Sequence, residues 1–366
     1  MENKEITLKI SDIVSEFDIS GVKNVEACHI GHINGTFFAD SERGRLVVQK
    51  INKGIFTDPP SLMDNIMAVT KHIQKKMREE GASESEISRR VLEFFPATDG
   101  KYYITDNDGE YWRISKFIDG SRTYDSGTPE LLTESGYSFG RFQSYLSDFP
   151  AETLTETIPF FHDTAVRFAH FEKSVAADVV SRASKCPDLI EKVLSYRETA
   201  GKIVNMLANG DLPLRVIHND TKINNVLIDE ATGKSLCVVD LDTVMPGTLL
   251  YDFGDAIRSG ASAVPEGSLE FDKFVVREDL YKAFYDGFSR GVGNSITKTE
   301  EENLPLGAFM MTYEVGMRFL DDYLSGDTYF HTEYAEHNLD RACGQLLLAD
   351  DIMKKKDALL ALTKKI

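Results

Sequence analysis

Along the first 120 residues apolar side chains recur at alternate positions in short runs, and turn residues separate the runs. Alternation of this kind marks strands buried on one face. It predicts strands near 22–28, 33–39, 46–51, 91–95, 101–105 and 110–117, the last entered through an Asn107-Asp108-Gly109 turn. Two stretches depart from it. Ile10, Ile13, Val14 and Phe17 stand at helical spacing and predict a short opening helix. Leu62, Ile66, Val69, Ile73 and Met77 form a longer apolar stripe, with Ser61 and Asp64 resembling a capping box at its start and Gly81 at its end.

At Phe117-Ile118-Asp119-Gly120-Ser121 the alternation stops, and the sequence turns helical. Helical patterning runs over 129–149, 163–181, 187–209, 252–259, 277–290, 304–324 and 331–356. Only three short runs interrupt it, at 214–217, 226–228 and 236–239; rich in Val and Ile, they predict buried strands. The pattern predicts an α+β protein of two lobes: a small β-rich lobe over 1–120, a hinge, and a larger, mainly helical lobe over 121–366. No internal repeat or low-complexity segment intervenes.

The three short strands frame the chemistry. Between the first two lies His218-Asn219-Asp220-Thr221-Lys222-Ile223-Asn224-Asn225, a frame H-x-D-x-x-x-x-N. In kinases such a frame supplies a carboxylate for the proton of the attacking hydroxyl and an amide oxygen for magnesium. A second, anionic magnesium ligand is needed as well, and Asp240 ends the third strand twenty positions beyond Asp220. The frame makes Asp220 the candidate base and Asn225 and Asp240 the candidate metal ligands. Lys222 is placed to offset charge on the transferred phosphoryl group. Asp252-Phe253-Gly254 spells the protein-kinase metal motif, but it opens a predicted helix after a Pro246-Gly247 turn. Asp252 therefore reads as a helix N-cap. Upstream, the Gly-bounded turn Gly31-His32-Ile33-Asn34-Gly35-Thr36 is a candidate cover for triphosphate, through backbone N–H groups and short polar side chains. His162-Asp163, just before a helix, reads as a cap.

Composition narrows the partners. The 366 residues are 42% hydrophobic, enough for a sizeable core, and carry a net charge of −18. That charge argues against nucleic acid or an anionic membrane as partner. The four cysteines have no metal-like spacing, and Cys237 in a predicted strand reads as a small hydrophobe. With no basic-then-apolar start and no apolar run of membrane-spanning length, the expectation is a soluble, cytoplasmic protein; the sequence leaves its oligomeric state open.

The segment 218–242 closely resembles the aminoglycoside-phosphotransferase-like family of small-molecule kinases, in which Gly or Asn often follows the His and D-x-D or D-x-E replaces D-F-G. Within that family, Gly31-His32-Ile33-Asn34, Trp112-Arg113 with Lys116-Phe117-Ile118, His218-Asn219-Asp220-Thr221-Lys222, Asp240-Leu241-Asp242-Thr243 and Gly316-Met317-Arg318-Phe319-Leu320 are similar to the N-acetylhexosamine 1-kinases. The resemblance runs over nearly the whole chain. It implies a bilobal protein-kinase-like fold with ATP between the lobes, adenine against backbone near Phe117 and Ile118, and phosphate contacts from His32, Asn34 and Thr36. It further implies ATP-dependent, magnesium-dependent phosphorylation of the anomeric 1-OH of GlcNAc or GalNAc, with the sugar contacted by Asp220, Arg318 and Tyr329. The chain departs from the general kinase pattern in its third strand: Gln49 takes the inward place of the expected phosphate-binding Lys, and Lys50 points to the other face. Two alternatives remain open. One is a related kinase for choline, methylthioribose, homoserine or an aminoglycoside; the other is a catalytically dead nucleotide-binding regulator.

Overall fold

The computed structural model describes residues 2–28 and 34–363. Its first unit takes in the chain up to Arg122, with Leu154–Ile158 and Leu227–Val244; the second holds the remainder. The first begins with helix α1 (Glu2–Ser15), followed by strands β1 (Lys23–Cys28), β2 (Gly35–Ser41) and β3 (Gly44–Ile51), helices α2 (Pro59–Glu79) and α3 (Glu84–Arg90), and strands β4 (Ile104–Thr105), β5 (Tyr111–Lys116) and β6 (Ser121–Arg122). The five-stranded antiparallel sheet has the order β1-β2-β3-β5-β4. Alternation sends Leu46 and Val48 of β3, with Trp112 and Ile114 of β5, against Ile10, Ile13, Val14 and Phe17 of α1. The opposite face carries Gln49 and, directly across from it, Arg113.

Local chemistry differs from the sequence reading in places. Asp58, not Ser61, caps α2, accepting the Ser61 amide at 3.2 Å, and the Pro59 and Pro60 rings occupy the first turn, where no N–H is missed. Gly81 does follow the helix end, at φ +86°. The expected strand at 91–95 reduces to a bridge between Phe94 and Ser115, and that at 101–105 to the two residues of β4. Just before residue 91 lies α3, which the apolar pattern did not predict, although Ser83 and Glu86 form its capping box.

The rest of the chain comprises α4 (Pro129–Tyr145), α5 (Thr164–Ala177), the short α6 (Pro187–Ser195), α7 (Arg197–Ala200) and α8 (Lys202–Ala208), strands β7 (Arg215–Ile217), β8 (Val226–Asp229), β9 (Ser235–Val238) and β10 (Met245–Gly247), then α9 (Leu249–Gly260), α10 (Glu278–Val292), α11 (Lys298–Glu302), α12 (Leu304–Ser325), α13 (His337–Lys354) and α14 (Lys356–Leu362). The single helix expected over 187–209 is broken into three, and the one expected from 331 begins at His337. β8 and β9 extend from β6 in a three-stranded sheet of the first unit, where Cys237 is buried as expected. β7 pairs antiparallel with β10 in the second.

The helical unit is knitted by glycines. A Cβ on Gly136 or Gly140 of α4 would meet the Phe284 or Phe288 carbonyl oxygen of α10 at 2.2 and 2.4 Å. One on Gly287 or Gly291 would meet those of Thr133 or Tyr137 at 1.9 and 2.4 Å. Backbone therefore touches backbone along this helix pair. α9 crosses α12 the same way, with Gly254 against the Gly307 carbonyl. Phe253 is fully buried, edge-on to Tyr281, Phe284 and Phe288. Two members of the Asp252-Phe253-Gly254 triplet thus serve helix packing. Among the described residues no helix is long and apolar enough to cross a membrane.

Candidate active site

The loop from β7 to β8 carries the candidate base. Asn219 lies in the left-handed region at φ +67°, a conformation that Gly and Asn adopt at least cost. That is the physical reason for a small or Asx residue after His218. His218 is fully buried, edge-on to Phe139 and Phe142 of α4, and its Nδ1 accepts the Asp220 amide at 3.3 Å. It is a scaffold for the loop.

Asp252 has a different task from the expected cap. Thr248 caps α9, and Asp252 sits in its first turn, buried, with its carboxylate turned onto the loop. It accepts the His218 amide at 2.9 and 3.1 Å, the Asn219 amide at 2.8 Å and the Gln143 side chain at 2.8 Å. Burial pushes its carboxyl up, against the pull of His218 and these donors. Thr221 is fixed twice more, through its amide to Asp255 at 2.9 Å and its hydroxyl to the Asp252 carbonyl.

On this scaffold Asp220 is 24% exposed. Lys222 Nζ lies 2.8 Å from Asp220 Oδ1, and Asn225 Nδ2 donates to Asp220 Oδ2 at 2.9 Å and to its carbonyl at 2.7 Å. The Asn225 amide thereby turns its nitrogen to the base and keeps its oxygen as the atom suited to a cation. Burial raises the Asp220 carboxyl, but Lys222, His218 and Asn225 together outweigh it and hold the group below the ordinary aspartate value. Asp220 is thus kept charged, able to accept a proton.

In the sheet unit, Asp240 follows β9 in a left-handed turn, φ +60° and ψ +58°, and is exposed. Asp242, two residues on, is buried and saturated: Arg113 Nη1 donates to its Oδ1 at 2.5 Å and Asn34 Nδ2 to its Oδ2 at 2.5 Å. Asn34 Oδ1 in turn accepts the Asn52 amide at 3.0 Å. Arg113 Nε donates to Gln49 Oε1 at 3.0 Å, and Gln49 Nε2 to Thr36 Oγ1 at 3.3 Å. Asn34, Thr36 and Gln49 are thereby brought into one network. His32 lies outside the described residues. Asn65 of α2 donates to the Val244 carbonyl at 3.1 Å, holding the far end of the same turn. Among the described residues no three His, Cys, Asp or Glu side chains converge on a metal site. Magnesium in phosphate-transferring sites takes only one or two carboxylates plus phosphate oxygens and water, and the oxygens of Asp240 and Asn225 are donors of that kind. Of the hinge residues, Phe117 already donates its amide to the Arg45 carbonyl at 3.1 Å, and the Ile118 carbonyl accepts Ser121 Oγ at 2.6 Å.

Arg318, on α12, stands among three aromatic rings: Phe161 and Tyr329 at 5.7 Å and Phe330 at 5.6 Å. It makes no hydrogen bond or ion pair among the described residues. Arg167 is close by, its guanidinium pulled below its ordinary value by burial and by the Arg318 charge. Asp322 holds the segment that brings Tyr329 and Phe330 there, accepting the amides of Thr328, Tyr329 and Phe330, each at 2.9 Å. One turn before Arg318, buried Glu314 takes His162 Nδ1 at 2.8 Å and Thr164 Oγ1 at 2.7 Å. Asp163 caps α5 as expected.

A sheet-rich unit and a helical unit, with a charged aspartate in an H-x-D-x-x-x-x-N loop, define a protein-kinase-like fold built for phosphoryl transfer. The chain belongs to the phosphotransferase enzyme family, whose profile matches residues 24–273. Solved structures agree on the fold. An aminoglycoside phosphotransferase from Alicyclobacillus acidocaldarius is 15% identical over 96% of this chain and 94% of its own, with a TM-score of 0.60. A choline/ethanolamine kinase family protein from Mesorhizobium loti is 16% identical over 99% of each chain, with a TM-score of 0.59. An aminoglycoside 2′-phosphotransferase solved as its GDP complex is 13% identical over 96% of this chain and 99% of its own, with a TM-score of 0.55.

Proposed function

We propose that this phosphotransferase moves the γ-phosphoryl group of ATP to the anomeric 1-OH of an N-acetylhexosamine, GlcNAc or GalNAc, and releases ADP and the hexosamine 1-phosphate. Asp220 takes the proton of the 1-OH as its oxygen bonds to phosphorus and the bridge to the β-phosphate breaks. The anomeric hydroxyl is more acidic than the other sugar hydroxyls, so one carboxylate suffices and no covalent enzyme intermediate is needed. Lys222 offsets charge on the moving group. Asn225 and Asp240 would hold magnesium, which neutralises the phosphates when bound. By the family resemblance, His32, Asn34, Thr36 and Gln49 would contact the phosphates, and backbone near Phe117 and Ile118 the base.

The observation that carries the acceptor class is Arg318. Its guanidinium has donors to spare, aromatic faces flank it, and Arg167 adds a second positive charge. Hydroxyl and acetamido oxygens satisfy such donors, and the rings suit the apolar face of a sugar. Choline needs an aromatic cage open to a cation, but here Arg318 already stands among the rings; an aminoglycoside needs free carboxylates, and of the two acting on Arg167, Glu314 is engaged by His162 and Thr164 and Asp321 by His170. The test is a panel of acceptors with ATP and magnesium, followed by phosphorus NMR of the product. Coupling of the phosphorus to the anomeric proton is the expected result. A phosphate on O6, or turnover of choline or an aminoglycoside with no hexosamine accepted, overturns the assignment and leaves a kinase. No turnover of any acceptor favours a dead regulator.

A further inference from the structure

The kinase pattern calls for a cation in β3, and this chain has Gln49 there. The register supplies one from the next strand. Gln49 and Arg113 are direct partners in the antiparallel pair β3–β5, so their side chains leave the same face of the sheet. Arg113 is 2% exposed; it donates to Gln49 and to Asp242, with a longer contact from Nη1 to Met63 Sδ at 3.8 Å. Asp242 spends its other oxygen on Asn34. A carboxylate bonded in this way is a fixed point in the turn, two residues beyond Asp240. The turn is pinned again at Val244 by Asn65. Asp240 itself has a left-handed backbone, which persists only where the surroundings impose it.

We propose that Arg113 is the positioning residue for the metal-bearing carboxylate: it locks Asp242, and through Asp242 it holds Asp240 in the orientation that accepts the metal–nucleotide complex. Gln49 is then the clamp on Arg113, where most kinases carry the phosphate-binding Lys itself. Asn34, the residue just before β2, donates to the same carboxylate, so one ion pair sets the Asp240 turn and the start of β2 together. The inference rests on the reading of the chain as a metal- and nucleotide-using kinase.

The test compares the wild-type chain with Arg113→Lys and with the double variant Arg113→Met/Asp242→Leu. The double variant removes both charges, because removing one alone leaves the other buried and unpaired and risks the fold. Binding of Mn2+–ADP is followed by electron paramagnetic resonance, steady-state KM is measured for each substrate, and melting temperature checks folding. The double variant is expected to fold and to bind Mn2+–ADP about 10–100-fold more weakly, the usual effect of losing a residue that orients a metal ligand. Its KM for the metal–nucleotide should rise by the same order while the acceptor KM stays put, and Arg113→Lys should recover part of the loss. A folded double variant with wild-type Mn2+–ADP affinity overturns the role of Arg113 and leaves the kinase reading standing. A wild-type chain that binds no Mn2+–ADP overturns both.

Discussion

The backbone N–H of Asn219 donates to the buried carboxylate of Asp252 at 2.8 Å, across thirty-three residues of sequence. The same carboxylate takes the neighbouring His218 amide, so one side chain from α9 fixes the backbone entry to Asp220, the proposed base. Asp252→Ala should therefore behave unlike the loss of a helix cap. Two buried amides lose their partner, at about 1–3 kcal/mol each. Stability in urea should fall by roughly 2–6 kcal/mol, and kcat should fall with it. A loss of only about 1 kcal/mol with kcat intact would mean that the Asp252 carboxylate does not hold the loop.

Asp220 should show its depressed pKa in the rate profile. In the proposed mechanism its charged form is the base, and the folded value lies below the ordinary ~3.9, so this group should set no acid limb above about pH 4. Its contribution to stability is likewise present above about pH 4 and lost as pH falls through the lowered value. Lys222→Met removes the largest influence that opposes burial, so the acid limb of kcat/KM should move up in pH while kcat drops. Asp220→Asn should lower kcat by ~10²–10⁴-fold at every pH. Profiles of both variants in one buffer series check this; an acid limb unmoved in Lys222→Met would mean that Lys222 does not govern the base.

Asp322 makes a prediction about the acceptor alone. It gathers three consecutive amides and the Asn338 side chain, and so sets where Tyr329 and Phe330 stand beside Arg318. Asp322→Ala should cost up to ~10²-fold in kcat/KM for the acceptor through misplacement of those rings. The KM for nucleotide should not change. Two-substrate kinetics separate the terms, and equal losses for both substrates would argue for general unfolding instead.

Gly287→Ala tests the helix crossing. A Cβ there would lie 1.9 Å from the Thr133 carbonyl oxygen, so α4 and α10 must part. Overpacking of this kind costs ~1–3 kcal/mol, and more where the obstacle is backbone. Gly267, with nothing within 4 Å of its would-be Cβ, is the control. Thermal denaturation should show a clear drop for the first and almost none for the second.

Much of this was legible from local pattern, and the failures share a cause. Alternation located β1, β3 and β5, and the H-x-D-x-x-x-x-N spacing brought together Asp220, Lys222 and Asn225, because those contacts span five residues or fewer. Asp252 was misread because its partners lie more than thirty residues back, while the helix it sits in begins three residues earlier than its own pattern suggests. Arg113 stood in a recognised Trp-Arg pair, yet its tie to Asp242 depends on strand register and on a turn 129 residues away. Helix α3 buries only Ile87, so it offered no apolar stripe to read, although its capping box was in plain view.

The glycine seam between α4 and α10 has a mechanical consequence. Two helices in backbone contact at four glycines cannot slide, because any shift in register drives a side chain into a peptide group. They form a single stiff beam, and Gln143 bolts the β7–β8 loop to it, donating to Asp252 and to the Val216 carbonyl. Heat should then offer this loop no private way to loosen. Amide exchange along α4 should be among the slowest in the helical unit, and on warming, activity should vanish with that unit's cooperative melting and not before it.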